Sequence, residues 1–402
     1  MELKWQECLQ VFISVKILTL FLYLCYNQCR IGWIGVIKVK NWIKSNVITT
    51  IAIILAIITC FFVPINKEYL SYFDYKTLIC LTCILAVVQC LKRSGFFEVA
   101  SRKVVSIFKN SRSVVWALIM LTFLCDLFLA NDMSLITLLP LTYLVLSSTN
   151  NMKYFAFTLI LQNIAANMSG MITPHGNPQN LYLYSYYNVP TLEFIQILLP
   201  HFFIVLGLLI ILPLIFVKKE PLKLEYDIKI KPSKKIYIYL GLFVFSLLII
   251  FRVIPYVIGL IVVLLSVFIL DKESLKKMDW DLLLTFCAFF VFSGNVSKIP
   301  QVSIFLKRLM GASELLTGLF SCQFISNVPT AVLLSKFTIN YKTLITAVNI
   351  GSLGTLISSL ASLITLKEYL KHEDKLLDYV VKFTLINLLF LSALLLFIFF
   401  VG

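Results

Sequence analysis

The chain of 402 residues is 60% apolar and only 14% charged, where soluble domains run roughly 45–50% and about 25%. Too few polar groups remain to cover a water-facing surface, which excludes an ordinary soluble protein. A net charge of +15 would suit a nucleic-acid binder, but the basic residues gather in short loops between apolar runs, the pattern that sets membrane topology. The expected partner is therefore the lipid bilayer and not nucleic acid.

In chain order the apolar runs fall at about 9–26, 47–65, 76–91, 114–149, 154–188, 194–217, 236–251, 255–270, 281–297, 313–338, 343–366 and 378–401. A membrane helix needs about 20 apolar residues, and none of these runs alternates with period two as a barrel strand does. The expected fold class is an all-α polytopic membrane protein with about ten transmembrane helices, placed in the cytoplasmic membrane. Lys16 interrupts the first run, and Glu2 and Glu7, with no small-residue cleavage site, argue against a removed signal. The basic stretches are 30–44, 92–112, 218–235, 272–277 and 367–375. They share the cytoplasmic side if each run crosses once and the runs 114–149 and 313–338 return to the side they left. The ten cysteines lie mostly inside apolar runs, and the CxxC pair Cys80–Cys83 has no matching His, so buried small hydrophobes are expected rather than a metal or redox site.

Two segments break the simple pattern. After Asn327-Val328, the stretch 329–340 makes about 18 Å of helix, well short of a roughly 30 Å hydrocarbon core. That shortness predicts a re-entrant hairpin at 313–338. The run 114–149, with Asn131-Asp132 at its middle, reads as a similar hairpin or as two full spans. The order of features then repeats. Asp74-Tyr75-Lys76 and Asp279-Trp280-Asp281 each open a run, an amphipathic basic stretch and a hairpin follow, and a long run broken by small residues closes each half. The broken runs read Asn167-Met-Ser-Gly-Met-Ile-Thr173 and Asn349-Ile-Gly-Ser-Leu-Gly-Thr355. The expected organisation is a first repeat at 9–217 (hairpin 114–149, broken helix 154–188), a basic linker at 218–235, and a second repeat at 236–402 (hairpin 313–338, broken helix 343–366). An odd number of crossings per half inverts the second copy, and matched broken helices in inverted halves point to a transporter's binding site.

Backbone leaves helical form at membrane depth only where protein or a water-filled cavity satisfies it. In Thr-Pro-His-Gly-Asn-Pro-Gln-Asn (173–180), Pro174, Gly176, Asn177 and Pro178 stop any helix. Freed carbonyls with Asn and Thr oxygens suit a small hard cation, and exposed helix N-termini suit an anion. The candidate binding residues are Asn131, Asp132, Asn167, Ser169, Gly170, Thr173, His175, Gly176, Asn177, Ser326, Asn327, Asn349, Gly351, Ser352 and Thr355. Asp132 is the sharpest of them, as an ionisable group set deep in an apolar run. It would coordinate a cation or carry a proton, or else cap the second arm. His175 would bind an anion or shuttle protons, or equally sit as a backbone-bonded loop residue. Asp126 is expected on a helix face or in a cytoplasmic vestibule, His201 and His372 are read as structural, and Lys336 is expected to snorkel outward. An intramembrane enzyme using Asp126, Asp132 and His175 is the reading from a different class. No HExxH, P-loop or Gly-x-Ser-x-Gly is present, and Asn and small residues dominate the breaks, so no enzyme activity and no cofactor are expected.

The stretch from Gln162-Asn163 to Gly176-Asn177-Pro178-Gln179-Asn180, with Ala130-Asn131-Asp132 before it and Ser326-Asn327-Val328-Pro329 after it, resembles the ion transporter superfamily. More narrowly, it is similar to divalent-anion:sodium symporters and citrate-transporter-like permeases, with arsenite-efflux permeases as cousins. The resemblance runs from about residue 47 to the C-terminus. It implies inverted repeats, two opposed re-entrant hairpins, elevator-like alternating access and a homodimer. The family's Ser-Asn-Thr tips fall on Ala130, Asn131 and Asp132 or Met133, and on Ser326, Asn327 and Val328. The resemblance also implies Na+ at Asn131, Asp132, Gly170, Asn327 and Ser352, completed near Ser169-Gly170 and Gly351-Ser352. Neither tip keeps the Thr, and the first carries an acid where a carboxylate substrate would approach. The expected function is a secondary transporter of a small anionic solute, a di- or tricarboxylate or an oxyanion, coupled to Na+ or H+. The alternative is a cation/proton antiporter or arsenite-type efflux permease on the same scaffold.

Overall fold

The computed structural model describes residues 42, 46–96, 109–127, 131–221 and 235–401. The apolar run 9–26 and residues 222–234 of the linker lie outside the described residues. The helices are α1 (Val47–Cys60), α2 (Tyr75–Arg93), α3 (Ser111–Asp126), α4 (Asn131–Ser148), α5 (Phe155–Ser169), α6 (Pro178–Tyr186), α7 (Thr191–Phe216) and α8 (Ile236–Ile250). They continue with α9 (Tyr256–Lys276), α10 (Trp280–Lys298), α11 (Pro300–Ala312), α12 (Glu314–Ile325), α13 (Asn327–Leu334), α14 (Tyr341–Ile350), α15 (Leu360–Leu370) and α16 (Leu376–Val401). Among the described residues the only extended pairing is an isolated bridge between Asn110 and Pro221. The chain is an all-α polytopic membrane protein. Five helices among the described residues are long and apolar enough to cross a bilayer, and others, α1, α4, α8 and α12 among them, are apolar but shorter.

The described chain divides into two compact units, one taking residues from Met1–Leu78 and Asp279–Phe305, the other Ile79–Met278 and Leu306–Gly402. Each unit draws on both halves of the sequence. In the first, α1 packs along α10 through small polar contacts. The Thr49 and Thr285 hydroxyls lie 2.8 Å apart, and the Asn295 amide donates to Thr59 Oγ1 at 3.2 Å. Asp279 accepts from the Leu282 amide at 2.9 Å, and Asp74 accepts from the amides of Lys76 and Thr77. The acids that open the two runs are thus helix caps, filling N–H groups that have no partner inside the helix.

In the second unit α5 is the hub, packing against α3, α4, α7, α14, α15 and α16. Its buried polar side chains decide its register. Gln162, fully buried, accepts from Thr142 Oγ1 at 2.9 Å and donates to Thr122 Oγ1 at 2.8 Å, tying α5 to α4 and α3. An unpaired buried amide would cost about 1–3 kcal/mol per group, so rotating or sliding α5 is disfavoured. Its apolar neighbours (Leu159, Ile160, Leu161, Ile164) are fully buried as well.

The helix breaks fall where the sequence places them. Helix α5 ends at Ser169 with Gly170 as its cap, a 3-10 turn covers Gly170–Ile172, and α6 starts with Pro178 in its first turn. Pro178 has no N–H to leave unsatisfied there. Helix α12 ends at Ile325, Ser326 takes φ +73°, and α13 begins at Asn327. Its eight residues make about 12 Å of helix. Between α14 and α15 the chain is irregular from Gly351 to Ser359. The run at 114–149 divides into α3 and α4, and residues 128–130 between them, Ala130 included, lie outside the described residues.

The sequence pattern aligns Asn167 with Asn349, but α5 is capped by Gly170 and α14 by Gly351. The two breaks therefore match one residue out of step from the Asn-based pattern, because the backbone cap and not the Asn marks the end of each helix.

Candidate functional site

The breaks of the second unit meet in one buried hydrogen-bonded network. Asn167 Oδ1 accepts from Asn131 Nδ2 at 3.2 Å and from Ser359 Oγ at 2.7 Å. Its backbone carbonyl accepts from Asn177 Nδ2 at 2.9 Å. Beside Ser359, the Ser358 carbonyl accepts from the Asn327 amide at 2.9 Å. One residue of α5 thereby gathers the starts of α4, α6 and α15, and Ser358 adds the start of α13. Each start is the positive end of a helix dipole. Four such ends converging away from water form a surface suited to an anion.

Beside it lies a carboxylate that the sequence reading placed elsewhere. Asp126, at the end of α3, is fully buried, not exposed on a helix face or in a vestibule. Its Oδ1 accepts from Ser134 Oγ at 2.9 Å and its Oδ2 from Ser169 Oγ at 3.1 Å. The correction has a physical cause: α3 packs directly on α5, which turns its last residue inward to the Gly170 cap. A Cβ on Gly170 would lie 2.8 Å from Asp126 Oδ2, 2.8 Å from Asn177 Oδ1 and 3.0 Å from the Gly176 carbonyl oxygen. Three oxygens from two segments thus line the bare face of one glycine. Asn177 Oδ1 is buried and accepts no hydrogen bond. A buried oxygen left unpaired beside a carboxylate suits a hard cation, which takes oxygen ligands.

The other sequence-selected residues are placed as follows. Asp132 lies in the first turn of α4, and its side chain lies outside the described residues. Thr173 Oγ1 is buried without a partner, as are both ring nitrogens of His175. The His175 ring packs edge-on against Phe251 and approaches the Leu127 backbone without reaching hydrogen-bond geometry. Gly176 packs so closely on Gly170 that a Cβ there would meet the Gly170 carbonyl oxygen at 2.4 Å. Asn349 Nδ2 donates to Asn180 Oδ1 at 2.7 Å, and Ser352 Oγ donates to the Asn349 carbonyl at 2.6 Å. Asn327 Oδ1 accepts from the Val328 amide, while Ser326 Oγ donates to the Ser358 carbonyl. Thr355 is exposed and turned away from the network: its amide and hydroxyl both donate to Gln323. It fastens the second break. His201 is buried in α7 against Phe397 with neither nitrogen bonded, His372 stacks on Tyr143, and Lys336 lies over the Tyr186 ring.

Sequence reasoning missed the residues that brace the network. Asn180 Nδ2 donates to the Met171 carbonyl at 3.0 Å and the Gly170 carbonyl at 3.3 Å. Gln323 Nε2 donates to the Gly351 and Leu353 carbonyls at 2.9 and 3.0 Å. Asn163 reaches Ser362 at 3.3 Å. A signal existed, since each is an amide inside an apolar run, a costly placement unless it is hydrogen-bonded. Asn180→Ala is expected to lower the unfolding temperature of the purified protein by several degrees, because it strips partners from Met171 O and Asn349 Nδ2 at about 1–3 kcal/mol per buried group. An unchanged melting curve would mean that these carbonyls are satisfied some other way.

Apolar helices of spanning length, packed round a buried polar network at their breaks, define a multi-pass membrane transporter. Comparison with known sequences places it more narrowly. A family model described as "Citrate transporter" matches residues 33–343, and the chain belongs to that family. It is 34% identical over 301 residues to an uncharacterized transporter, MJ0456, of Methanocaldococcus jannaschii, covering 75% of this chain and 82% of that one. It is also 28% identical over 322 residues to the inner membrane protein YbiR of Escherichia coli, covering 78% and 86%.

Proposed function

We propose that the protein is a secondary transporter of the cytoplasmic membrane that moves a citrate-like di- or tricarboxylate coupled to Na+ or H+. One observation carries the reading: a buried carboxylate, Asp126, stands with the unfilled Asn177 oxygen beside four converging helix starts. The cation would sit against Asp126, Ser169 and Asn177. The anion would be held by the positive helix ends at the starts of α4, α6, α13 and α15. A cation bound first cancels the Asp126 charge, which otherwise repels the anion, so the two ligands bind cooperatively.

The short α13 and the two broken helices support re-entrant hairpins and inverted repeats. The whole network belongs to one compact unit, as elevator-like movement of a carrier body requires. A homodimer is part of the proposal through the family likeness. Membership of a transporter family supports transport, not catalysis, as the work of Asp126 and His175.

A thermal-shift screen of the purified protein against anions, with and without Na+ and at two pH values, tests this reading. A carboxylate should raise the unfolding temperature strongly only when the cation is present or the pH is low. A shift of equal size under all conditions would contradict coupling.

A further inference from the structure

Resting on that reading, we propose that the transporter carries a single coupling cation per cycle, held at Asp126, and that the corresponding place in the second half is closed by Cys322 and Gln323. The correspondence is geometric. Asp126 lies five residues before Asn131, and Cys322 lies five before Asn327. Each packs on the glycine that caps the helix after its hairpin. A Cβ on Gly170 would meet Asp126 Oδ2 at 2.8 Å, and a Cβ on Gly351 would meet Cys322 Sγ at 2.9 Å.

The chemistry at the two places is opposite. Around Gly170 stand a carboxylate, an amide oxygen and a carbonyl. Around Gly351 stand a fully buried thiol and the Ala347 carbonyl, which already accepts from the Gly351 amide at 2.8 Å. Hard cations select oxygen ligands, and a neutral thiol is a poor substitute.

The hydrogen-bond inventory agrees independently. Near the first break, Thr173 Oγ1, both His175 nitrogens, Asn177 Oδ1 and Gln179 Oε1 are buried without protein partners. Among the described residues, no buried side-chain atom of 322–330 or 351–362 is left in that condition. There Gln323 fills the Gly351 and Leu353 carbonyls, and Ser358 Oγ donates to the Ser352 and Thr355 carbonyls at 2.7 Å. The first break is short of partners, whereas the second satisfies itself. A divalent anion carried with one monovalent cation takes one net negative charge across the membrane, so transport would respond to membrane potential.

The test is linkage on the purified full-length protein in detergent, with Na+ and H+ as the probes. Unfolding free energy is followed against ln[Na+] at constant pH and ionic strength, and against pH in Na+-free buffer. The slope counts ions bound by the folded state. The difference between wild type and Asp126→Asn should approach one ion in whichever titration responds, and Cys322→Ala should keep the wild-type slope. A difference of two ions, or a lowered slope in Cys322→Ala, would overturn the single-cation proposal and leave the Asp126 site standing. If neither titration separates wild type from Asp126→Asn, the Asp126 site itself fails and takes the stoichiometry with it. Should Cys322→Ala not fold, Cys322→Ser and the wild-type slope still decide.

Discussion

Asp126→Asn is expected to raise sharply the cation concentration that uptake requires while leaving folded protein in the membrane. The substitution preserves shape, and an amide still offers Ser134 and Ser169 a partner, so the packing of α3 on α5 survives. It removes the formal charge that a cation would meet. Losing one charge-assisted contact costs about 2 kcal/mol, roughly 30-fold in affinity, and the half-saturating cation concentration should rise by at least that factor. Initial rates of labelled citrate uptake across a Na+ and pH series measure it. A variant with the wild-type cation dependence would reduce Asp126 to a structural residue bonded by two serines.

The second large effect is on folding. Gly176→Ala would place a methyl group 2.4 Å from the Gly170 carbonyl oxygen and 2.6 Å from the Gly170 Cα. Both are backbone atoms, with no flexible side chain to yield. The break must open, at a cost of about 1–3 kcal/mol or more for overpacking, and the oxygens over Gly170 move apart with it. Poor expression or a clearly lowered unfolding temperature is expected from detergent-solubilised protein. Gly207→Ala serves as the control, since nothing lies within 4 Å of a Cβ there. Equal behaviour of the two variants would show that the close approach of the two glycines is not required.

Much of this was legible in the sequence because membrane helices advertise themselves. The apolar runs, the Pro–Gly–Asn break at 173–180 and the short stretch after Asn327 predicted where helices stop, and the structure ends them there. Chemistry at the breaks was harder to read. Asp132 stands out in the sequence as an ionisable group deep in an apolar run, whereas Asp126 reads as a helix-face or vestibule acid. Only the packing of α3 against α5 reveals which carboxylate is enclosed by Ser134, Ser169 and Gly170. The bracing roles of Asn180 and Gln323 were hidden for the same reason, since each reaches carbonyls whose position depends on folding at a distance.

The central claim is that this buried network couples an anion to a cation. Purified protein reconstituted into liposomes, loaded without substrate and given labelled citrate outside under an imposed inward Na+ or proton gradient, tests it most directly. Transient accumulation above the external concentration, collapsing when the gradient is dissipated and missing in Asp126→Asn, is the predicted result. Uptake that merely equilibrates, at the same rate with either gradient or none, would contradict it.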